Sequence, residues 1–96
     1  MIAPSKVVLV SRSGYDRSHD GLLQSLIERR IILFCAVGRD CRTWEDVMDE
    51  LCVGLIGDGT WYVVTTSHPD ESIEEVVAFA EQWHLDQPSS VEIIEV

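Results

Sequence analysis

The sequence is poor in lysine, and this shortage narrows the partners that the protein can bind. Lys6 is the single lysine, and the seven basic residues are outnumbered by seventeen acidic ones, which gives a net charge of −10 at neutral pH. Because contacts to nucleic-acid phosphates need clustered Lys and Arg, this balance argues against direct binding of nucleic acid. It permits a basic protein partner, whose approach an acidic surface would steer.

Long apolar runs and paired cysteines are also missing. No apolar run approaches the length of a membrane span, and the first six residues lack the charged-then-apolar order of a signal peptide. The three cysteines, Cys35, Cys41 and Cys52, are odd in number and form no Cys-x-x-Cys pair. Neither a disulfide framework nor a zinc knuckle is therefore indicated. We expect a cytoplasmic protein with reduced thiols and no membrane association.

The chain matches no template for phosphate binding or catalysis. Gly14 is the only glycine of the first loop, so neither a G-x-G-x-x-G turn nor a Walker loop is present. A phosphatase loop needs an arginine six positions after its cysteine, and neither Cys35 nor Cys41 has one. The histidines lack the close spacing of metal ligands. We predict no catalytic residue, no metal and no cofactor, and the balance favours a protein that is not an enzyme.

What the sequence does contain is a regular alternation of strand and helix patterns. Apolar or β-branched runs at 6–10, 31–37, 62–66 and 91–96 are typical of strands. Apolar residues recur with the helical period within three other segments, Leu22 to Ile27, 43–56 and 70–84. We predict one α/β domain over residues 1–96, a three-layer βαβαβαβ fold with a four-stranded parallel sheet. The expected strand order is 2-1-3-4, as in a shortened flavodoxin-like or Rossmann-like sheet.

Acidic residues concentrate on the polar sides of the second and third helices. In the expected strand order, right-handed crossovers would place these two helices together on one face of the sheet. The leading hypothesis is a non-enzymatic module, resembling an adaptor, immunity protein or inhibitor, that binds a basic protein through this acidic wall. A solvated charged face explains the same residues without any partner. The acidic residues of the wall are Glu45, Asp46, Asp49, Glu50, Glu71, Glu74 and Glu75.

The alternative hypothesis, from another functional class, is a domain that binds a small anion or nucleotide and is conceivably an enzyme. In the 2-1-3-4 order the loops after the first and third strands would meet at the switch point, where ligands of open α/β sheets bind. Local pairing of the loop arginines with neighbouring acids is the simpler explanation. The candidate ligand-binding residues are Arg12, Ser13, Tyr15, Arg17, His19, Arg39, Thr66, Ser67 and His68.

Two further expectations concern packing and helix starts. Only one helix would cover the other face of the sheet, and a homodimer would hide the strand surface left uncovered. Thr43 with Asp46 resembles a capping box for the second helix, and Ser67 or Asp70 is the candidate cap of the third.

Overall fold

The computed structural model describes residues 6–56, 63–83 and 91–96, and these residues confirm the alternation of strands and helices. The strands are β1 (Lys6–Ser11), β2 (Leu33–Gly38), β3 (Val64–His68) and β4 (Val91–Glu95). The helices are α1 (Asp20–Glu28), α2 (Cys41–Ile56) and α3 (Ile73–Gln82), and a short 3-10 turn (Arg17–His19) precedes α1. Within the described residues, no helix is both long and apolar enough to cross a membrane. Two details of the predicted elements, Tyr62 in the third strand and residue 84 at the end of the third helix, lie outside the described residues.

The four strands form one parallel sheet in the order 3-2-1-4, so the predicted order 2-1-3-4 was wrong. The composition of the strands explains the observed order. β1 and β2 are almost wholly buried and apolar, as central strands must be, whereas β3 is built from Val64, two threonines, Ser67 and His68. A strand with polar side chains is more stable at the edge of a sheet than at its buried centre. The expected order had placed polar β3 inside and apolar β2 outside.

The strand order also changes which helices share a face. Leu23 of α1 and Trp44 of α2 belong to one apolar cluster, together with Phe34 of β2. Val76 and Ala80 of α3 belong to a second cluster, on the other side of the sheet. The prediction that the second and third helices form a single acidic wall was therefore wrong. Two steps in one direction put α1 and α2 on the same face, and the return past β1 to β4 puts α3 on the opposite face.

Trp44 is the largest side chain of the first cluster and is fully buried. Its indole Nε1 donates a hydrogen bond of 2.9 Å to Ser11 Oγ, at the end of β1. This bond satisfies the indole N–H inside the core. It also fixes the start of α2 against the end of β1, which positions the loops at the carboxyl end of the sheet.

The helix starts differ from those expected. Ser72 caps α3, and its hydroxyl and the Glu75 carboxylate form a reciprocal capping box, so neither Ser67 nor Asp70 is the cap. α2 begins at Cys41, which places Thr43 inside the helix rather than at its cap. Gly38 ends β2 with φ +97°, a conformation that favours glycine.

Candidate functional site

The loop after β1 packs against the start of α2 rather than against the loop after β3. The Tyr15 and His19 rings lie 5.3 Å and 5.0 Å from the Trp44 ring, measured between centroids. The Tyr15 backbone N–H donates to Asp40 Oδ2 at 3.1 Å. These contacts join the first loop to the β2–α2 connection and leave β3 outside the arrangement.

The Tyr15 hydroxyl donates a hydrogen bond to Asp20 Oδ1 at the start of α1. This bond favours the protonated phenol and, with desolvation and the negative charge of Asp20, raises the pKa of Tyr15 from 10.0 to about 12. The phenol is therefore a structural donor at neutral pH and cannot serve as a base there.

The switch point of the sheet lies between β1 and β4, where the strand order reverses. The backbone N–H groups of Arg12 and Ser13, which would face a ligand there, both donate to the Val96 carbonyl, at 2.7 Å and 3.3 Å. The Arg12 guanidinium lies 3.5 Å from Glu95. Because these backbone donors are already paired, the switch point offers little to a small anion.

The third strand directs its polar side chains away from the first loop. Thr66 Oγ1 lies 2.7 Å from His68 Nε2, and the other ring nitrogen of His68 lies 2.9 Å from Glu71 Oε1. The His68 side chain is buried on the α3 side and contacts Phe79. Since β2 separates β1 from β3, the two loops lie about 10 Å apart. The predicted convergence of the two loops was wrong.

Arg17 and Arg39 are exposed, and neither reaches the third strand through a described contact. The aliphatic part of Arg39 lies over Gly14, near 3.5 Å from the position that a Cβ would take there. The aliphatic stem of Arg39 thus packs on the first loop, as arginine stems commonly do on protein surfaces. Of the nine residues predicted for the anion site, Tyr15, His19 and Arg39 lie around the start of α2. Arg12 and Ser13 pair with Glu95 and Val96, and Thr66, Ser67 and His68 lie on β3.

One open groove of about 470 Å³ lies at this end of the molecule, between the start of α2 and the turn after β3. Its polar lining carries both signs of charge, since Arg42 shares it with Asp40 and Asp70. A groove of mixed charge does not select strongly for an anion. Its remaining lining residues are Gly38, Cys41, Thr43 and Pro69.

Two hydrogen bonds join α2 to β3, and we call this contact the α2–β3 seam. It was not predicted from the sequence. Thr65 Oγ1 donates to Asp49 Oδ1 at 2.6 Å, and Ser67 Oγ donates to Glu45 Oε1 at 3.0 Å. Residues 45 and 49 are one helical turn apart, and residues 65 and 67 lie on the same face of the strand. Acids four residues apart on a helix, together with hydroxyl residues two apart on a strand, were the sequence pattern that could have predicted this contact.

Two more acids extend this seam into an exposed patch. Asp46 and Glu50 are exposed, and in the described part of the chain neither forms a hydrogen bond or an ion pair. We call Glu45, Asp46, Asp49 and Glu50 the α2 acidic surface.

The acids at the start of α3 are mostly accounted for within the molecule. Glu71 pairs with His68, and Glu75 closes the capping box with Ser72. Glu74 lies in the first turn of α3, where a negative charge stabilises the helix dipole. These three residues have local roles, whereas Asp46 and Glu50 of α2 have no partner among the described residues.

The three cysteines are buried free thiols. Cys41, the cysteine nearest the basic loop, is buried in the first apolar cluster. Burial raises the pKa of the Cys35 thiol to about 11, which keeps it protonated at neutral pH. No three His, Cys, Asp or Glu side chains among the described residues are grouped so that they could hold a metal ion.

Residues 3–95 match the model of a family described as a domain of unknown function, DUF7684. No curated protein and no solved structure matches the chain.

Proposed function

This chain belongs to the DUF7684 family, whose model spans nearly all of it, and we propose that it is a non-enzymatic module that binds a basic protein. The observation that carries the proposal is the α2 acidic surface beside β3. The hypothesis formed on the sequence used both acidic helices as one wall. In the revised form, α2 acts alone, because α3 lies on the opposite face of the sheet.

The geometry of the α2 acids supports a docking role. Glu45 and Asp49 accept hydrogen bonds from the hydroxyls of Ser67 and Thr65, which fixes the positions of both carboxylates and leaves each with further acceptor sites. Asp46 and Glu50, which follow these two residues directly in α2, have no such described partner. Four fixed or adjacent negative charges on one side of a helix provide complementarity for Lys and Arg.

The net charge of −10 adds a longer-range contribution. An acidic molecule attracts a basic partner before contact, and this steering weakens when salt screens the charges. The proposed interaction should therefore form quickly at low ionic strength and lose affinity as salt is added.

The test compares two charge reversals that are equal in size and lie on opposite faces. The first variant is Asp46→Lys with Glu50→Lys on α2, and the control is Glu74→Lys with Glu81→Lys on α3. Each tagged protein is used to capture partners from its native lysate at low and moderate salt, after circular dichroism has shown that it is folded. We expect the α2 variant to lose a salt-sensitive basic partner that the wild type and the α3 variant both retain. Equal retention by both variants would refute the proposal, as would loss only in the α3 variant.

Binding of a small anion is the alternative function. It would use Arg39 and Arg42 at the start of α2, now without Thr66, Ser67 and His68. A rise in melting temperature with phosphate or nucleotide that Arg42→Ala removes, while no basic protein is captured, would favour that function over ours.

We also propose that the sheet is of the shortened Rossmann-like type rather than the flavodoxin-like type. Its 3-2-1-4 order coincides with the first four strands of the order in dinucleotide-binding sheets. The glycine pattern of those sheets is lacking after β1, where Gly14 is the only glycine. The likeness therefore concerns topology and carries no expectation of a nucleotide.

A further inference from the structure

The backbone of β3 has one side turned away from the sheet. The Val64 N–H donates to the Ile32 carbonyl of the segment that leads into β2, at 3.1 Å. In a parallel ladder, backbone groups point alternately to either side of the strand. The backbone groups of Val64, Thr66 and His68 therefore point toward β2. The backbone N–H and C=O groups of Thr65 and Ser67 point outward. In the described part of the chain, no strand pairs with that side.

The two edges of the sheet are protected differently. β4, at the opposite edge, carries Glu92 and Glu95, which pair with Arg29 at 2.8 Å and Arg12 at 3.5 Å. Charged side chains along an edge discourage another strand from pairing with it. β3 has no Lys, Glu, Asp or Pro between residues 64 and 68, and its pairing with β2 is continuous, without a bulge. Within residues 64–68, β3 thus has no charged acidic or lysine side chain, no proline and no bulge to block strand addition.

The side chains on either side of the β3 edge define what could be added. On the α2 side, the carboxylates of Asp49 and Glu45 lie directly beside Thr65 and Ser67. On the α3 side, the Phe79 ring is 39% exposed and lies 5.3 Å from His68. One face of an incoming strand would meet negative charge, and the other face would meet an aromatic ring.

We infer that the open edge of β3 binds an extended peptide segment whose side chains alternate between Lys or Arg and apolar residues. This inference rests on the proposed function and specifies its partner. Backbone hydrogen bonds to Thr65 and Ser67 provide the attachment, and the basic side chains pair with Glu45 and Asp49. A second copy of this chain is a poor occupant, because the acidic surfaces of two copies would lie beside each other.

The probe is a fluorescent peptide of alternating Arg and Val, six residues long, with blocked ends. Two analogues carry N-methyl groups, one on every Arg and the other on every Val, so that each loses the N–H donors of one edge and keeps its charge. Affinity is measured by fluorescence anisotropy at low salt. Because only one edge of the peptide faces β3, we expect one analogue to bind at least ~10-fold more weakly and the other to remain within about twofold of the parent.

The matching change in the protein is Ser67→Pro, with Ser67→Ala as its control. Proline removes an N–H that points outward, so the ladder with β2 keeps its hydrogen bonds, whereas alanine removes only the hydroxyl that bonds Glu45. We expect peptide affinity to fall about tenfold in the proline variant and less than about threefold in the alanine variant. The unfolding midpoint of each variant shows whether it is folded, and Thr65→Pro with Thr65→Val provides a second pair.

The outcomes separate this inference from the proposed function. Equal binding of both methylated peptides, still weakened by the Lys substitutions at Asp46 and Glu50, would overturn strand pairing and leave docking to the α2 acidic surface intact. No salt-sensitive binding of the peptide would overturn this inference, and failure to capture any basic partner as well would overturn both. A dimer of the wild-type protein that Ser67→Pro dissociates would assign the edge to a second copy and overturn the basic peptide as its occupant.

Discussion

At the scale of single residues, Gly38 sets how closely the end of β2 approaches β1. Its φ is +97°, and a Cβ at this position would lie 2.4 Å from the Ser11 carbonyl oxygen. We expect Gly38→Ala to lower the free energy of unfolding by more than ~2 kcal/mol, through both strain and steric overlap. Urea denaturation monitored by tryptophan fluorescence measures this loss.

Gly54 provides the matched control, because it lies within α2 and a Cβ added there would meet no atom within 4 Å. We expect Gly54→Ala to raise the free energy of unfolding by about 0.5–1 kcal/mol through helix propensity. Similar effects of the two alanines would contradict the assigned backbone geometry.

Tyr15 gives the protein a dependence on alkaline pH. Its pKa is raised from 10.0 to about 12 by the bond to Asp20 and by burial. A raised folded-state pKa means that the contribution is complete below pH 10 and is lost as the pH rises from 10 to about 12. We expect stability to fall across that window and expect Asp20→Asn to reduce the fall. Equilibrium unfolding at pH 9, 10 and 11 checks this, and an equally steep fall in the variant would contradict it.

At the scale of elements, the start of α3 depends on a reciprocal cap. Ser72 accepts from the Glu75 N–H at 3.2 Å, and Glu75 accepts from the Ser72 N–H at 3.1 Å. We expect Ser72→Ala to cost about 1 kcal/mol of stability. Ser25→Ala on α1 is the control, since the bond of that hydroxyl among the described residues is to the Leu22 carbonyl within its own helix. Thermal unfolding in which both alanines have the same effect would argue against the cap.

Strand and helix periods were readable from the sequence because they depend on local spacing. The buried runs of β1 and β2 and the apolar stripe of α2 follow directly from alternation and from the 3.6-residue period. The cap of α3 was misassigned because three possible caps, Ser67, Asp70 and Ser72, lie within the six residues before the helix. Choosing among them requires the position at which the backbone turns, which periodicity does not specify.

The candidate site was less predictable because it depends on which strands are neighbours. The first loop and the β2–α2 turn meet in either strand order, and they contact through the Tyr15 N–H bond to Asp40 and the packing of Arg39 on Gly14. Thr66, Ser67 and His68 were placed with them only because β3 was assigned beside β1. The polar character of β3 was the signal that could have indicated an edge strand, and it was available in the letters Thr-Thr-Ser-His.

At the scale of the whole molecule, strand order determines how charge is distributed. One reversal of direction in the sheet separates the acids of α2 from those of α3 by the thickness of the domain. The two sets have different partners, since Glu71 and Glu75 pair with His68 and the Ser72 cap. Glu45 and Asp49 instead accept from the hydroxyls of β3. The acids that look continuous in the sequence are thus divided between the two faces of the sheet.

The most direct test of docking at the α2 acidic surface and β3 is to map where a basic ligand contacts the folded protein. Uniformly ¹⁵N-labelled protein is titrated with the alternating Arg-Val peptide at low and moderate salt, and amide chemical shifts are followed by NMR. We predict that salt-sensitive shifts concentrate at residues 45–50 and 64–67. Shifts confined to residues 38–43 and 69–70, or to the opposite face at residues 74–81, would contradict the account.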